Sequence, residues 1–155
     1  MAKEHVYNIA VRWTGNQGSG TSAYTAYSRD HIIEASDKTP IEGSSDPAFR
    51  GNVSRYSPED LLVASLSACH MLWYLHLCAE AGIIVISYAD DAVGIMEEVE
   101  DGSGRFVLVT LRPKVMVEAG ADLDRAKILH HEAARKCFIA NSVNFPVALE
   151  PGLEV

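Results

Sequence analysis

The stretch SPEDLLVASLSACHMLWYLHLCAEAG, residues 57–82, decides the fold. Ser57 can cap a helix, Pro58 suits the first helical position, and Glu59 and Asp60 place negative charge where the helix dipole favours it. Gly82 supplies the stop. Between them lie about 24 residues that are apolar almost all round, a rod of about 36 Å at roughly 1.5 Å per residue. Such a helix is expected to be central and covered on most sides.

On the N-terminal side, VYNIAVRW alternates, with Tyr7, Ile9, Val11 and Trp13 on one face, which is strand periodicity. GNQGSG, residues 15–20, reads as a turn, and AYTAYSRDHIIEA supports one or two further strands. Residues 36–56, with Pro40, Gly43, Pro47 and Gly51, predict an irregular loop into the helix. On the C-terminal side, IIVISYADDAVGIMEEV and RFVLVTLRPKVMVE flank the turn-forming EDGSG and predict two long antiparallel strands. Asp122 can cap a second helix whose apolar side is Ala126, Leu129, Ala133 and Cys137, and VALE, residues 147–150, predicts a last strand. Strands, long helix, strands, helix and strand make an α+β protein.

The 155 residues, 48% apolar and 22% charged, have the length and composition of one domain spanning 1–155. A net charge of -8 weighs against nucleic acid or an anionic membrane as partner, since both need concentrated positive charge. No uninterrupted apolar run reaches the ~18 residues of a membrane span, and MAKEHVYNIAVRW lacks the pattern of a secretory signal. A cytoplasmic location is expected.

Three cysteines do not make a disulfide framework, so each is a buried thiol, a metal ligand or a nucleophile. Cys69 sits twelve residues past Ser57, beyond the reach of the helix dipole, so a reactive Cys69 needs a cation from elsewhere in the fold. Packing is the other reading for it. Cys78 lies some 13 Å further along the helix and about half a turn round, too far for a disulfide, so it reads as core and any partner for Cys69 is Cys137. The histidines and cysteines show neither C-x-x-C nor H-E-x-x-H, and no metal site or cofactor is expected. His70 reads as structural or as tuning the thiol, His76 as pocket lining or core, and His130 and His131 as solvent-facing.

SPEDLLVASLSACHM, residues 57–71, together with KCFIANSV, residues 136–143, resembles the OsmC/Ohr family of organic hydroperoxide reductases. The Pro-Glu-x-Leu opening, the small-residue run to Cys69 and a second cysteine in a later helix carry the likeness. It implies an OsmC-like fold, with antiparallel sheets packed on a long central helix in an intertwined homodimer. It also implies that Cys69 is the attacking cysteine and Cys137 the resolving one. The family's glutamate falls on Glu59, and its arginine on Arg50, with Arg55 as second choice. Phe49, Tyr56, Met71 and Trp73 are candidates for an apolar substrate pocket. The implied activity is reduction of organic hydroperoxides, with the Cys69–Cys137 disulfide re-reduced by an external dithiol, a lipoyl-type group among the candidates. A non-catalytic redox sensor or small-ligand-binding protein is the alternative. His70 after the cysteine, and Cys-Phe-Ile-Ala where many members have Cys-Pro, depart from the family pattern.

One consequence is purely geometric. On a continuous helix Glu59 and Cys69 are about 15 Å apart along the axis, too far to share a site within one chain. Either a second subunit brings the glutamate to the cysteine or the helix bends.

Overall fold

The computed structural model describes residues 1–155, which form two compact units, 1–61 and 62–155. In the first unit, β1 (Ala10–Trp13), β2 (His31–Glu34) and β3 (Ile41–Gly43) form an antiparallel sheet in the order β1-β2-β3. Pairing takes up only the second half of the alternating N-terminal segment. The turn at 15–20 is built by Asn16, whose side-chain oxygen accepts from the amides of Gly18 and Gly20. The expected irregular loop at 36–56 holds β3 and a 3-10 turn, Pro47–Phe49. Gly51 closes that loop, because a Cβ there would sit 1.5 Å from the Ser45 carbonyl oxygen.

The long helix α1 runs from Pro58 to Glu80, as the sequence predicts. Its start is a reciprocal cap: Ser57 Oγ accepts from the Asp60 amide at 3.1 Å while the Asp60 carboxylate accepts from the Ser57 amide at 2.9 Å. Gly82 stops it in the left-handed region, φ +72°.

In the second unit follow β4 (Val85–Asp90), β5 (Val93–Glu98), β6 (Gly104–Leu111), β7 (Pro113–Val117), α2 (Leu123–Lys136), β8 (Val147–Leu149) and β9 (Gly152–Glu154). β4 and β5 pair antiparallel with β7 and β6, and β9 and β8 add to the same two strands in parallel. The predicted two-stranded ribbon is therefore present but broken at one level, into sheets β4-β7-β9 and β5-β6-β8. Asp90, at the end of β4, accepts from the Arg112 amide at 2.6 Å, and Arg112 Nε donates to Glu150 at 3.0 Å, so all three breaks are tied together. Ser67 of α1 donates to the other Asp90 oxygen.

α1 buries Leu66, His70, Tyr74, Leu77 and Cys78, a single stripe at steps of three and four residues. Tyr74, Leu77 and Cys78 pack with Val115, Val117, Ala126 and Leu129, and Leu66 packs with Val109 and Leu111. The expectation that α1 is covered on most sides is not met within the chain. Leu72, on the opposite face, is 62% exposed. Strands and α2 cover one stripe only.

Candidate active site

Cys69 projects, half-buried, into an open groove of about 540 Å³ whose wall is apolar except for Ser65 and His76. Ser65, Leu72, Trp73 and His76 are the α1 neighbours of Cys69 at helical spacings of three, four and seven, and Phe138 and Ile139 face them from the segment after α2. The Trp73 ring meets Phe138 edge-on at 5.6 Å and His76 at 5.7 Å, while Lys136 Nζ lies 5.1 Å from the Trp73 ring centre. Of the four predicted pocket residues only Trp73 lines this groove; Met71 is turned away from it. Phe49 and Tyr56 belong to the first unit, where Phe49 ends the 3-10 turn and Tyr56 is exposed. Leu72 and Phe138 could have been found beforehand, one from helical spacing and the other from its place beside Cys137.

α2 ends at Cys137 because its backbone turns extended there, with the Cys137 amide still bonded to the Ala133 carbonyl. That turn carries the thiol inward, to 1% exposure, where Sγ accepts from the Ala140 amide at 3.4 Å. The Cys137 thiol lies close to Cys69, and burial followed by that proximity pushes it up to about 11. The structure thus brings together the two cysteines that the sequence singles out. Cys137 is protonated at neutral pH, and proximity leaves only oxidation for the pair to bond. Cys78 is 1% exposed, packed in the core with Tyr74, and its thiol is raised by burial, as befits a packing thiol.

The other predicted site residues lie in the first unit. Glu59 is in the first turn of α1, half-buried, with Oε2 shielded and unpartnered; no ion pair reaches it. Within the chain no arginine pairs with Glu59. Arg55 is held by Asp30 at 3.5 Å, Glu42 at 3.3 Å and the His31 carbonyl, which ties it into the β2–β3 sheet. Arg50 is exposed, takes the left-handed conformation after the 3-10 turn, φ 64°, and leaves its guanidinium without a carboxylate, 6.0 Å from the Tyr24 ring centre. Since α1 is continuous, Glu59 and Cys69 stand about 15 Å apart along its axis.

His130 contradicts the sequence reading: it is fully buried rather than solvent-facing. Its ring stacks on Tyr74 at 3.8 Å, and its Nδ1 shares a hydrogen bond with Nε2 of His70 at 3.1 Å. His130 lies beside Leu129 on the flank of the apolar stripe that α1 covers, whereas His131, about 100° further round, faces water. No cluster of three or more ligating side chains capable of holding a metal is present.

A mixed α+β fold with a cysteine pair beside an apolar groove places the chain among thiol-bearing OsmC-type proteins, and comparison agrees. The model of the OsmC family, described as OsmC-like protein, matches residues 51–151, and the chain belongs to this family. It is similar to an OsmC-like protein of unknown function from Vibrio cholerae O1 biovar eltor, at 32% identity over 96% of this chain and 99% of that one, TM-score 0.86. The fold is shared with an organic hydroperoxide resistance protein OsmC from Legionella pneumophila, at 14% identity over 99% and 100% of the chains, TM-score 0.70. It is shared also with the organic hydroperoxide resistance protein OhrB of Bacillus subtilis, at 19% identity over 97% and 98%, TM-score 0.64. No curated protein matches the chain.

Proposed function

We propose that this protein is a cytoplasmic thiol peroxidase that reduces organic hydroperoxides to alcohols, its 155 residues acting as one OsmC-like domain within an intertwined homodimer. The observation that carries this reading is the half-exposed Cys69 in an apolar groove with the buried Cys137 thiol close to it. The Cys69 thiolate attacks the distal peroxide oxygen, the O–O bond breaks, and the alkoxide leaves with a proton as alcohol. Cys69 becomes sulfenic acid. Cys137 then displaces hydroxide from the Cys69 sulfur, giving water and a disulfide, and an external dithiol, for which a lipoyl-type group is one candidate, returns both thiols by exchange. An apolar wall of Leu72, Trp73, Phe138 and Ile139 favours an organic peroxide, whose alkyl group gains by leaving water, over hydrogen peroxide.

The homodimer is argued from two facts. Glu59 and Cys69 are ten positions apart on one continuous helix, and the groove wall carries no arginine or lysine. We assign Glu59 and Arg50 to the thiolate site of the partner subunit, where the glutamate would fix the arginine and the arginine would stabilise the thiolate. Arg55, with its carboxylate partners already in place, takes second rank. The same bare groove favours the second reading, a redox sensor or small-ligand-binding protein, if no cation reaches Cys69.

The test is a single equivalent of cumene hydroperoxide added to the reduced protein. The expected products are one cumyl alcohol per chain and a Cys69–Cys137 disulfide mapped by peptide mass. Alcohol release without that disulfide supports the sensor, and no alcohol at all refutes the peroxidase and the sensor and leaves ligand binding.

A further inference from the structure

Behind α1, on the side away from the groove, lies a second cavity of about 350 Å³. Leu66, Leu111, Phe145 and Leu149 form its apolar wall, and its polar groups are His70, Arg135, Cys137 and Asn141. Arg135 stays charged and Asn141 does not titrate, so His70 is the one proton acceptor that shares the cavity with Cys137. At about 30 Å³ per molecule of liquid water it has room for on the order of ten waters. His70 is 1% exposed, and its Nε2 shares the hydrogen bond with His130 Nδ1. The planes of the two rings are parallel to within 3°, and Tyr74 stacks on the His130 ring at 3.8 Å.

Two imidazoles joined by one hydrogen bond each keep a second nitrogen. That of His130, Nε2, is buried without a partner and closed to exchange. That of His70 belongs to a residue on the cavity wall. The pair therefore has one outlet, and it opens on the space that Cys137 also lines. Burial lowers the affinity of both histidines for a proton, so they rest neutral at physiological pH, while the Asp90 carboxylate favours the charged form of His70. Cys137 needs such a neighbour: as a thiol titrating near 11 it is a poor nucleophile toward a sulfenic acid.

We propose that His70, held in place by His130, accepts through cavity water the proton that Cys137 must lose in the resolving step. In the tautomer where His70 donates through Nε2, its Nδ1 carries the free lone pair. The proton passes from Cys137 Sγ through water to that nitrogen, and the hydrogen bond to His130 becomes charge-assisted. The Cys137 sulfur supplies the electron pair of the new S–S bond. The Cys69 S–O bond breaks, hydroxide leaves on the groove side and takes a proton from solvent to become water, and His70 gives up its proton through the cavity water. His130 is a positioning residue in this scheme, acting through the His70 ring.

The inference rests on the two-cysteine reading, and the experiment separates the two. Wild-type protein is given one equivalent of cumene hydroperoxide, and conversion of Cys69 sulfenic acid to the Cys69–Cys137 disulfide is followed by rapid quench and mass spectrometry between about pH 6.5 and 8.5. With His70 as acceptor the rate is level across this range, because the base is already free above the ordinary histidine value of about 6.5. An unaided thiol titrating far above the range instead gives a rate that climbs about tenfold per pH unit, and that climb in wild type would overturn the proposal. His70→Gln is expected to convert the level profile into the climbing one and to slow resolution at least tenfold near pH 7, so that sulfenic acid accumulates and is trapped by a 1,3-dione. A level profile and unchanged rate in His70→Gln would overturn the assignment of His70. If wild type forms no Cys69–Cys137 disulfide, the two-cysteine reading falls first and the role of His70 with it.

Discussion

At the scale of single residues, the three cysteines differ in their surroundings. Cys69 and Cys137 lie close together, whereas Cys78 is sealed in the core with Tyr74. Cys78→Ala should therefore lower unfolding free energy by about 1 kcal/mol in urea titration and leave peroxide turnover unchanged. The buried histidines make a pH prediction whose sign follows from their burial. Desolvation, then the proximity of His70 and His131, holds His130 at about 3 in the folded state, and His70 is lowered too, against an unfolded value near 6.5. Protons bind preferentially to the unfolded chain below that value, so this contribution is complete above about pH 6.5 and is lost as pH falls toward 3. Urea midpoints should fall between about pH 6.5 and 5, before most carboxylates titrate, and His130→Gln should flatten that slope. A wild-type midpoint that stays constant over this window would contradict the buried neutral pair. Cys69 and Cys137 were legible from spacing and resemblance, but His130 was not. Helical periodicity puts Ala126, Leu129 and Ala133 on the buried side without saying which flank of the stripe is covered, and the covering ring comes from α1.

At the scale of elements, α1 was readable from end to end because its signals are local: a cap, a proline, a first-turn acid and a terminal glycine. Removing half of the reciprocal cap, Ser57→Ala, should cost about 1 kcal/mol by chemical denaturation. The long hairpin was also visible in its alternation and its EDGSG turn. The shared break in its strands was not, because it depends on Asp90, Arg112 and Glu150 meeting from three separate segments. Short β3 was lost inside a glycine- and proline-rich loop, where propensity points the other way and pairing with β2 decides. The groove was half legible: Trp73 lies one helical turn from Cys69, whereas Phe49, Tyr56 and Met71 were chosen for apolar character near the motif and do not line it.

At the scale of the whole molecule, the sequence overstated how much of α1 one chain can cover. Its apolar circumference was read as a central helix, yet one face stays open, with Leu72 and, after α2, the 68%-exposed Phe138 beside it. The proposed dimer would explain both the excess apolarity and the separation of Glu59 from Cys69, and it has a distinctive test. Glu59→Gln and Cys69→Ser are each expected to be nearly inactive alone. Mixed by co-refolding, they should recover up to about a quarter of wild-type activity, since random pairing makes half of the dimers mixed and each mixed dimer carries one intact site. No recovery above the separate variants would place Glu59 and Cys69 in function within one chain or make the glutamate dispensable.

The central claim is catalytic turnover at Cys69, and the most direct measurement is dithiol-dependent consumption of cumene hydroperoxide compared with hydrogen peroxide, for wild type, Cys69→Ser and Cys137→Ser. The account predicts sustained turnover by wild type with a preference for the organic peroxide, none by Cys69→Ser, and loss of turnover after the first oxidation in Cys137→Ser. Wild-type protein that oxidises at Cys69 but consumes no further peroxide, or Cys69→Ser that turns over normally, would contradict it.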